Sequence, residues 1–413
     1  MTVHDLKSAK STAELAELSG LDGVPQWAGG DLRTRARHVA SIAEQYAEQV
    51  DREARFPEEA MAAAKAQGLM GIMAPASLGG EGASTGDVVE ICYILGQACA
   101  STAMIYAMHQ VKAACVIRHL GDSAWHKAFV RRMVRDQLLL ASSTTEGQAG
   151  GNVRSSAAPV VYKDGRITLD RDASVISYGE AADALVTTAR RDAEAAGSDQ
   201  VLLILDRADY TLTGTQGWDT LGMRGTDSVG FALKADADQT QIMPVAYEVI
   251  HSQSMVPAAH LFWSAAWAGV AAASVERARR FIRKAARSNG GQLPPAAAYL
   301  QRANASLRAL RALIATTLDR YEAISGDAEA LGALDFQTAI SLLKVDASEL
   351  AVSTVMSAMR ACGLSGYRND GDASQGRHLR DVLSSPIMIN NDRILANLSA
   401  SSLLAQTPAS IRN

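Results

Sequence analysis

Three textures of apolar and polar positions follow one another along the chain. From about residue 32 to 140, apolar residues recur at helical spacing in Ala-rich amphipathic runs, broken at Pro57, Pro75 and Leu78-Gly79-Gly80. Between Val88 and Leu120 nearly every face is apolar, which predicts helices enclosed by other protein. From about residue 141 to 250 the period shortens. Val160-Val161-Tyr162 and Ile167-Thr168-Leu169 flank Lys163-Asp164-Gly165-Arg166, and Asp-Gly between two such runs predicts a tight hairpin. Pro159 stands just before the first run, where a strand tolerates a missing N–H. Further β-branched runs at 184–189, 201–205 and 210–212 complete a small antiparallel β-domain.

Helix returns at Pro257. The run 258–287 is apolar for most of its length and turns basic near its end, where cations suit the helix dipole. Leu307, Leu310, Ile314, Leu318 and Tyr321 form one apolar stripe, and a last long helix runs from about Asp335 to near Gly363 and Gly366. The expected architecture is α+β: an N-terminal helical domain at 1–140, a β-domain at 141–250 and a C-terminal helical bundle at 251–413.

Composition narrows the function classes. At 413 residues the chain is too long for one ordinary core. A net charge of −4 with acids and bases intermixed provides no basic face for nucleic acid. Cys92, Cys99, Cys115 and Cys362 form no CxxC pair and sit in apolar helical stretches, so they read as reduced core thiols. No secretory h-region follows the N-terminus and no window reaches about 18 unbroken apolar residues, so a soluble cytoplasmic enzyme without a membrane partner is expected. The eight histidines lack metal-ligand spacing, and P-loop, GxGxxG and GxSxG motifs are missing, which removes the usual hydrolase and nucleotide-fold readings.

Three segments carry candidate chemistry. Ser143-Thr144-Thr145-Glu146-Gly147-Gln148-Ala149-Gly150-Gly151-Asn152 is a hydroxyl- and glycine-rich loop that can bring backbone N–H groups to an electron-rich ligand. Val175-Ile176-Ser177-Tyr178-Gly179-Glu180-Ala181-Ala182-Asp183 precedes a strand, and Trp218-Asp219-Thr220-Leu221-Gly222-Met223-Arg224-Gly225-Thr226-Asp227-Ser228 is a polar turn. In this order and at these separations they resemble the acyl-CoA dehydrogenase family, whose patterns are TExxAGS, WITNGxxAD and LGMRGTDS. Phe56-Pro57-Glu58 with Pro75-Ala76-Ser77-Leu78-Gly79-Gly80, and Gly363-Leu364-Ser365-Gly366-Tyr367 with Arg377-His378-Leu379-Arg380-Asp381, extend the resemblance over most of the chain.

The resemblance implies FAD, with FMN as the alternative, bound between the β-domain and the C-terminal helices of a homo-oligomer. It assigns the flavin pyrimidine edge to Thr144, Thr145 and the backbone through Gly150 and Gly151. Ser177 takes the place of a threonine facing flavin N5, where a hydroxyl can donate a hydrogen bond. Arg287, Arg360 and Gly363 fall where the family contacts the rest of the cofactor. Desaturating an acyl thioester also requires a carboxylate base. The two places where the family carries that glutamate read Ile389 and Ala259 here, leaving His260, Asp392 and His109 as candidate replacements.

Three functional expectations follow from the resemblance. The first is α,β-dehydrogenation of an acyl thioester, on CoA or a carrier protein, with an electron-transfer flavoprotein as partner. The second is monooxygenation with reduced flavin from a reductase, in which His109 faces the oxygen-activating flavin, as in oxygenases on the same fold. The third is a non-catalytic homologue that binds an acyl group or flavin.

Overall fold

The computed structural model describes residues 30–146 and 153–404. Among the described residues five α-helices come first: α1 Leu32–Glu53, α2 Glu58–Ala66, α3 Thr85–Ala98, α4 Ala100–His119 and α5 Ala124–Asp136. Asp31 caps α1 by accepting from Thr34 N, and Ser84 with Asp87 forms a capping box on α3. Helix α4 is buried on almost every face from Ala100 to Val116, as its pattern predicts.

Seven strands follow: β1 Leu140–Ser143, β2 Val161–Lys163, β3 Arg166–Ser177, β4 Ala184–Arg190, β5 Gln200–Asp206, β6 Tyr210–Gln216 and β7 Ser228–Asp238. The expected hairpin joins β2 to β3 through Asp164 and Gly165, both at positive φ as a two-residue type I′ turn requires. An antiparallel four-stranded sheet has the order β2-β3-β7-β6. The second sheet, β1-β4-β5, adds a parallel pair, because β1 runs alongside β4. Strand β7 went unread in the sequence although it is central. Its inward positions include Gly230, Ala235 and Ala237, small residues that carry little β signal.

The last part is helical: α6 Tyr247–Ile250, a π-turn at His251–Met255, α7 Val256–Ser288, α8 Ala297–Ile324, α9 Ala328–Gly332, α10 Leu334–Cys362, α11 Leu364–Tyr367, α12 Gly376–Val382 and α13 Asn391–Leu404. Tyr247–Ser288 is long and apolar enough to cross a bilayer, but 89% of its most apolar window is buried inside the protein. That apolarity is spent on packing against α3, α4, α8 and α10. Helices α3 and α7 approach backbone to backbone, since a Cβ on Gly96 would lie 2.3 Å from the Ala266 carbonyl oxygen. The four cysteines are free and buried, as expected.

The segment 218–228 fastens the β-domain to helices on both sides. Met223 N donates to Asp381 on α12 at 2.7 Å, and Arg224 Nε donates to Asp51 O on α1 at 2.8 Å. Gly222 lies against α12 so closely that a Cβ there would sit 2.1 Å from the Arg380 carbonyl oxygen. Gly222→Ala should therefore lower the denaturation midpoint, costing about 1–3 kcal/mol, with the m-value unchanged. Gly217→Ala, facing open space, should leave the midpoint where it is.

Candidate active site

Where α4, the ends of β1 and β3, segment 218–228, the π-turn with α7, and residues 380–389 converge, they enclose a cavity of about 540 Å³. The β side supplies Thr144, Thr145, Val175 and Ser177, and segment 218–228 supplies Trp218, Met223, Thr226 and Ser228. Helix α4 contributes Met104, Met108 and Lys112 at one-turn intervals. The π-turn and α7 contribute His251, Met255, Ala259, His260 and Trp263.

A buried ion pair holds the Thr144-Thr145 loop. Glu146 accepts from Arg171 at 2.9 Å, from Ser156 Oγ at 2.6 Å and from Ala157 N at 2.6 Å. Arg171 occupies an inward position of β3 and also donates to the Thr188 carbonyl. Burial, partly offset by Glu146, brings the Arg171 guanidinium down to about 10. The pair fixes the backbone one residue beyond Thr145. Gly150 and Gly151 lie outside the described residues.

Ser177 ends β3 after a register shift between Ala173 and Ile176, and its Oγ is 2.7 Å from Ser228 Oγ. Ser228 Oγ is in turn 2.8 Å from Thr226 Oγ1, which donates to the Met223 carbonyl at 2.9 Å. The carbonyl sets the direction of the relay: Thr226 spends its proton there, so Ser228 donates to Thr226 and Ser177 donates to Ser228. Ser177 then meets a cavity ligand as an acceptor, the reverse of the donor role expected from sequence.

The nitrogen bases divide into structural and cavity-facing groups. His109 is fully buried, accepts from Leu140 N at Nδ1 (3.0 Å) and donates from Nε2 to the Met70 carbonyl (2.8 Å). Both ring nitrogens are committed to backbone and the residue does not line the cavity. The expectation that His109 serves the flavin is corrected: it pins α4 to β1 and to the Met70 turn. His260 does line the cavity, and donation from Nδ1 to the Ile340 carbonyl at 2.8 Å leaves Nε2 as an acceptor. Burial lowers His260 from 6.5 to about 4. His251, unremarked in the sequence, also lines the cavity; burial and then the Arg154, His260 and Lys112 charges bring it to about 4. Its only forewarning would have been the π-turn, which has no simple sequence signature.

Asp392 is also corrected as a candidate base. It is exposed in the first turn of α13 and lies outside the cavity lining. Ile389 and Ala259 do line the cavity, so both positions the resemblance gives to a base face the site with hydrocarbon. Ile389 is held at φ +60, a left-handed conformation that a β-branched residue adopts only under constraint. No Asp or Glu lines the cavity among the described residues.

The cavity suits a flavin in having one hydroxyl relay, a broad apolar wall and an indole N–H, that of Trp263, which is buried without a partner among the described residues. A wider cleft of about 1580 Å³ shares Thr220, Leu221 and Arg380 with it. Arg277, Arg280 and Lys284 line that cleft along α7 and suit a cofactor's phosphates. The residues expected to contact the rest of the cofactor line neither space. Arg287 is exposed, Arg360 stacks 4.1 Å over the Tyr299 ring at the surface, and Gly363 ends α10 at φ +57.

The helical–β–helical order, with a cavity where the three parts meet, is the arrangement that the sequence resemblance implies. The chain belongs to the acyl-CoA dehydrogenase family, a family of FAD enzymes: the model of that family's N-terminal domain matches residues 31–137, and that of its C-terminal domain matches 259–404. It is similar to cyclohex-1-ene-1-carbonyl-CoA dehydrogenase of Geobacter metallireducens, 26% identical over 43% of this chain and 47% of that protein. Similarity to mitochondrial isovaleryl-CoA dehydrogenase of Arabidopsis thaliana is 25% over 44% of this chain and 45% of that protein. The chain thus spans about half the length of the curated relatives it matches. Among solved structures, FMN-bound TdsC of Paenibacillus sp. A11-2, a dibenzothiophene monooxygenase, superposes with a TM-score of 0.80 at 19% identity, covering 91% of this chain and 98% of that one. KijD3 in complex with dTDP has a TM-score of 0.77 at 21% identity, covering 91% and 96%.

His109→Ala should cost about 3 kcal/mol, because it opens a cavity, orphans Leu140 N–H and leaves the Met70 carbonyl with only the longer bond from Gln110. With a folded pKa of about 4 against 6.5, the neutral imidazole contributes stability that is present above about pH 6.5 and lost as pH falls towards 4. Denaturant titrations across that window should show a shallower acid loss in the variant.

Proposed function

We propose that the chain is a flavin-dependent monooxygenase that takes reduced flavin, FMN or FAD, from a partner reductase and oxidises a small organic substrate with O2. The observation that carries this reading is the pair Ile389 and Ala259: the cavity has hydrocarbon at both positions for a dehydrogenase base. α,β-Dehydrogenation, expected first from sequence, requires a group that takes the α-proton at neutral pH. Among the described residues no carboxylate lines the cavity to take that proton. When bound, reduced flavin supplies the two electrons that activate oxygen.

The chain's own residues have compatible tasks. Ser177, directed by the Ser228–Thr226 relay, accepts a proton donor such as a reduced-flavin N–H. His260 Nε2 accepts without carrying charge, and the methionine and tryptophan walls keep water from the reacting oxygen. The likeness in shape to the dibenzothiophene monooxygenase is consistent with this chemistry. The reading includes a homo-oligomer: Leu364 and Tyr367, 75% and 73% exposed, stand beside Gly363, which the resemblance gives to cofactor contact, and are free to meet a second copy.

The test uses the purified protein loaded with FMN or FAD. Butyryl-, isovaleryl- and octanoyl-CoA should fail to bleach the flavin anaerobically. A flavin reductase with NADH should support substrate-dependent oxygen incorporation, read as product mass in ¹⁸O2. Anaerobic bleaching by any of these thioesters would overturn the proposal in favour of dehydrogenation.

A further inference from the structure

Lys112 is a buried ammonium that neither the flavin nor the oxygen chemistry uses. It lines the cavity, is 3% exposed, and among the described residues its Nζ has a single hydrogen-bond contact, with the Met255 thioether at 3.7 Å. A thioether is a poor acceptor and carries no charge. Glu146, next to the cavity-lining Thr145, is already paired with Arg171. Loop 147–152, whose structure is not described, contains no Asp or Glu in its sequence. Among the described residues, then, the protein supplies no counter-charge. A buried unpaired cation costs several kcal/mol, which an aliphatic acyl chain would leave uncompensated.

Its place in the fold separates it from the flavin-facing relay. Ser101, near the start of α4, packs against Gly225 of the segment that carries Thr226 and Ser228. Lys112 is eleven residues further along the same helix, a rise of about 16 Å. Between them Met104 and Met108 face the cavity on the same side of α4, and Met255 and Trp263 face it from the other wall. Thioethers and an indole make a surface suited to a flat aromatic body.

We propose that Lys112 anchors the carboxylate of a small aromatic acid, which places the ring along the Met104–Met108 wall towards Ser177. The anchor supplies both recognition and register. An ion pair in a largely apolar cavity selects the anion over its neutral isostere, and the distance from Nζ sets which ring carbon faces the flavin. This rests on the monooxygenase reading for the reaction but not for the binding step, which is measurable without turnover.

The probes are 2-naphthoate and its neutral isostere 2-naphthamide, titrated by calorimetry and thermal shift against the protein with and without FMN. The wild type should bind the carboxylate at least about tenfold more tightly. Lys112→Met should abolish that preference, Lys112→Arg should retain most of it, and FMN affinity should be the same in all three. Without ligand, Lys112→Met should melt at the same or a higher temperature, since it removes an uncompensated charge at matched shape. Equal binding of the two probes by the wild type would overturn the proposal, as would an undiminished preference in Lys112→Met. Loss of FMN affinity in that variant would assign the lysine to the cofactor instead. Failure of the oxygenase assay would leave the naphthoate preference intact, so the two readings fail separately.

Discussion

The structure depends on one close approach, the seating of Gly222 and Met223 on the backbone of α12. With no side chain at Gly222, the β-domain comes within contact of the Arg380 and Asp381 peptide, and Met223 N reaches the buried Asp381 carboxylate. Burial, outweighing Arg377 and the Met223 N–H, raises that carboxyl to about 6. From this seat Arg224 reaches α1, Thr226 and Ser228 are aimed at Ser177, and Trp218 donates to the Met223 carbonyl. The cavity exists because this segment holds the sheet a fixed distance from the C-terminal helices.

Electrostatics then decide what the cavity can do. Its histidines are desolvated and neutral, the two positions that the resemblance gives to a base are hydrocarbon, and Glu146, next to the cavity-lining Thr145, is paired with Arg171. Such a site cannot pull a carbon-bound proton with a carboxylate, but it can hold polar hydrogens through lone pairs and exclude water. Lys112, without a counter-charge among the described residues, lies on the wall that a substrate rather than the relay would occupy.

Much of the architecture was legible before any coordinates. The helical spacing of α4 and α8, the Asp164-Gly165 hairpin and the order helix–strand–helix follow from local rules, because periodicity and turn chemistry act over a few residues. Strand β7 escaped because Gly230, Ala232, Ala235 and Ala237 dilute the signal of Phe231 and Leu233, and the β1–β4 pairing because parallel contacts join distant segments. Thr144, Thr145, Ser177 and His260 do converge on the cavity, while Arg287, Arg360 and Gly363 lie away from it.

What the sequence alone determined was the family, the element types and the missing carboxylate at residues 259 and 389, since each is a matter of residue identity at a fixed place in a pattern. Only the tertiary structure decided which polar groups are free to act. His109 and His260 both interrupt apolar helical runs, yet one has both nitrogens consumed by backbone and the other keeps Nε2 open. Hydrogen-bond partners are contributed by residues tens of positions away, Leu140 and Met70 for His109 and Ile340 for His260. Availability of a lone pair is therefore a property of packing, which local pattern does not encode.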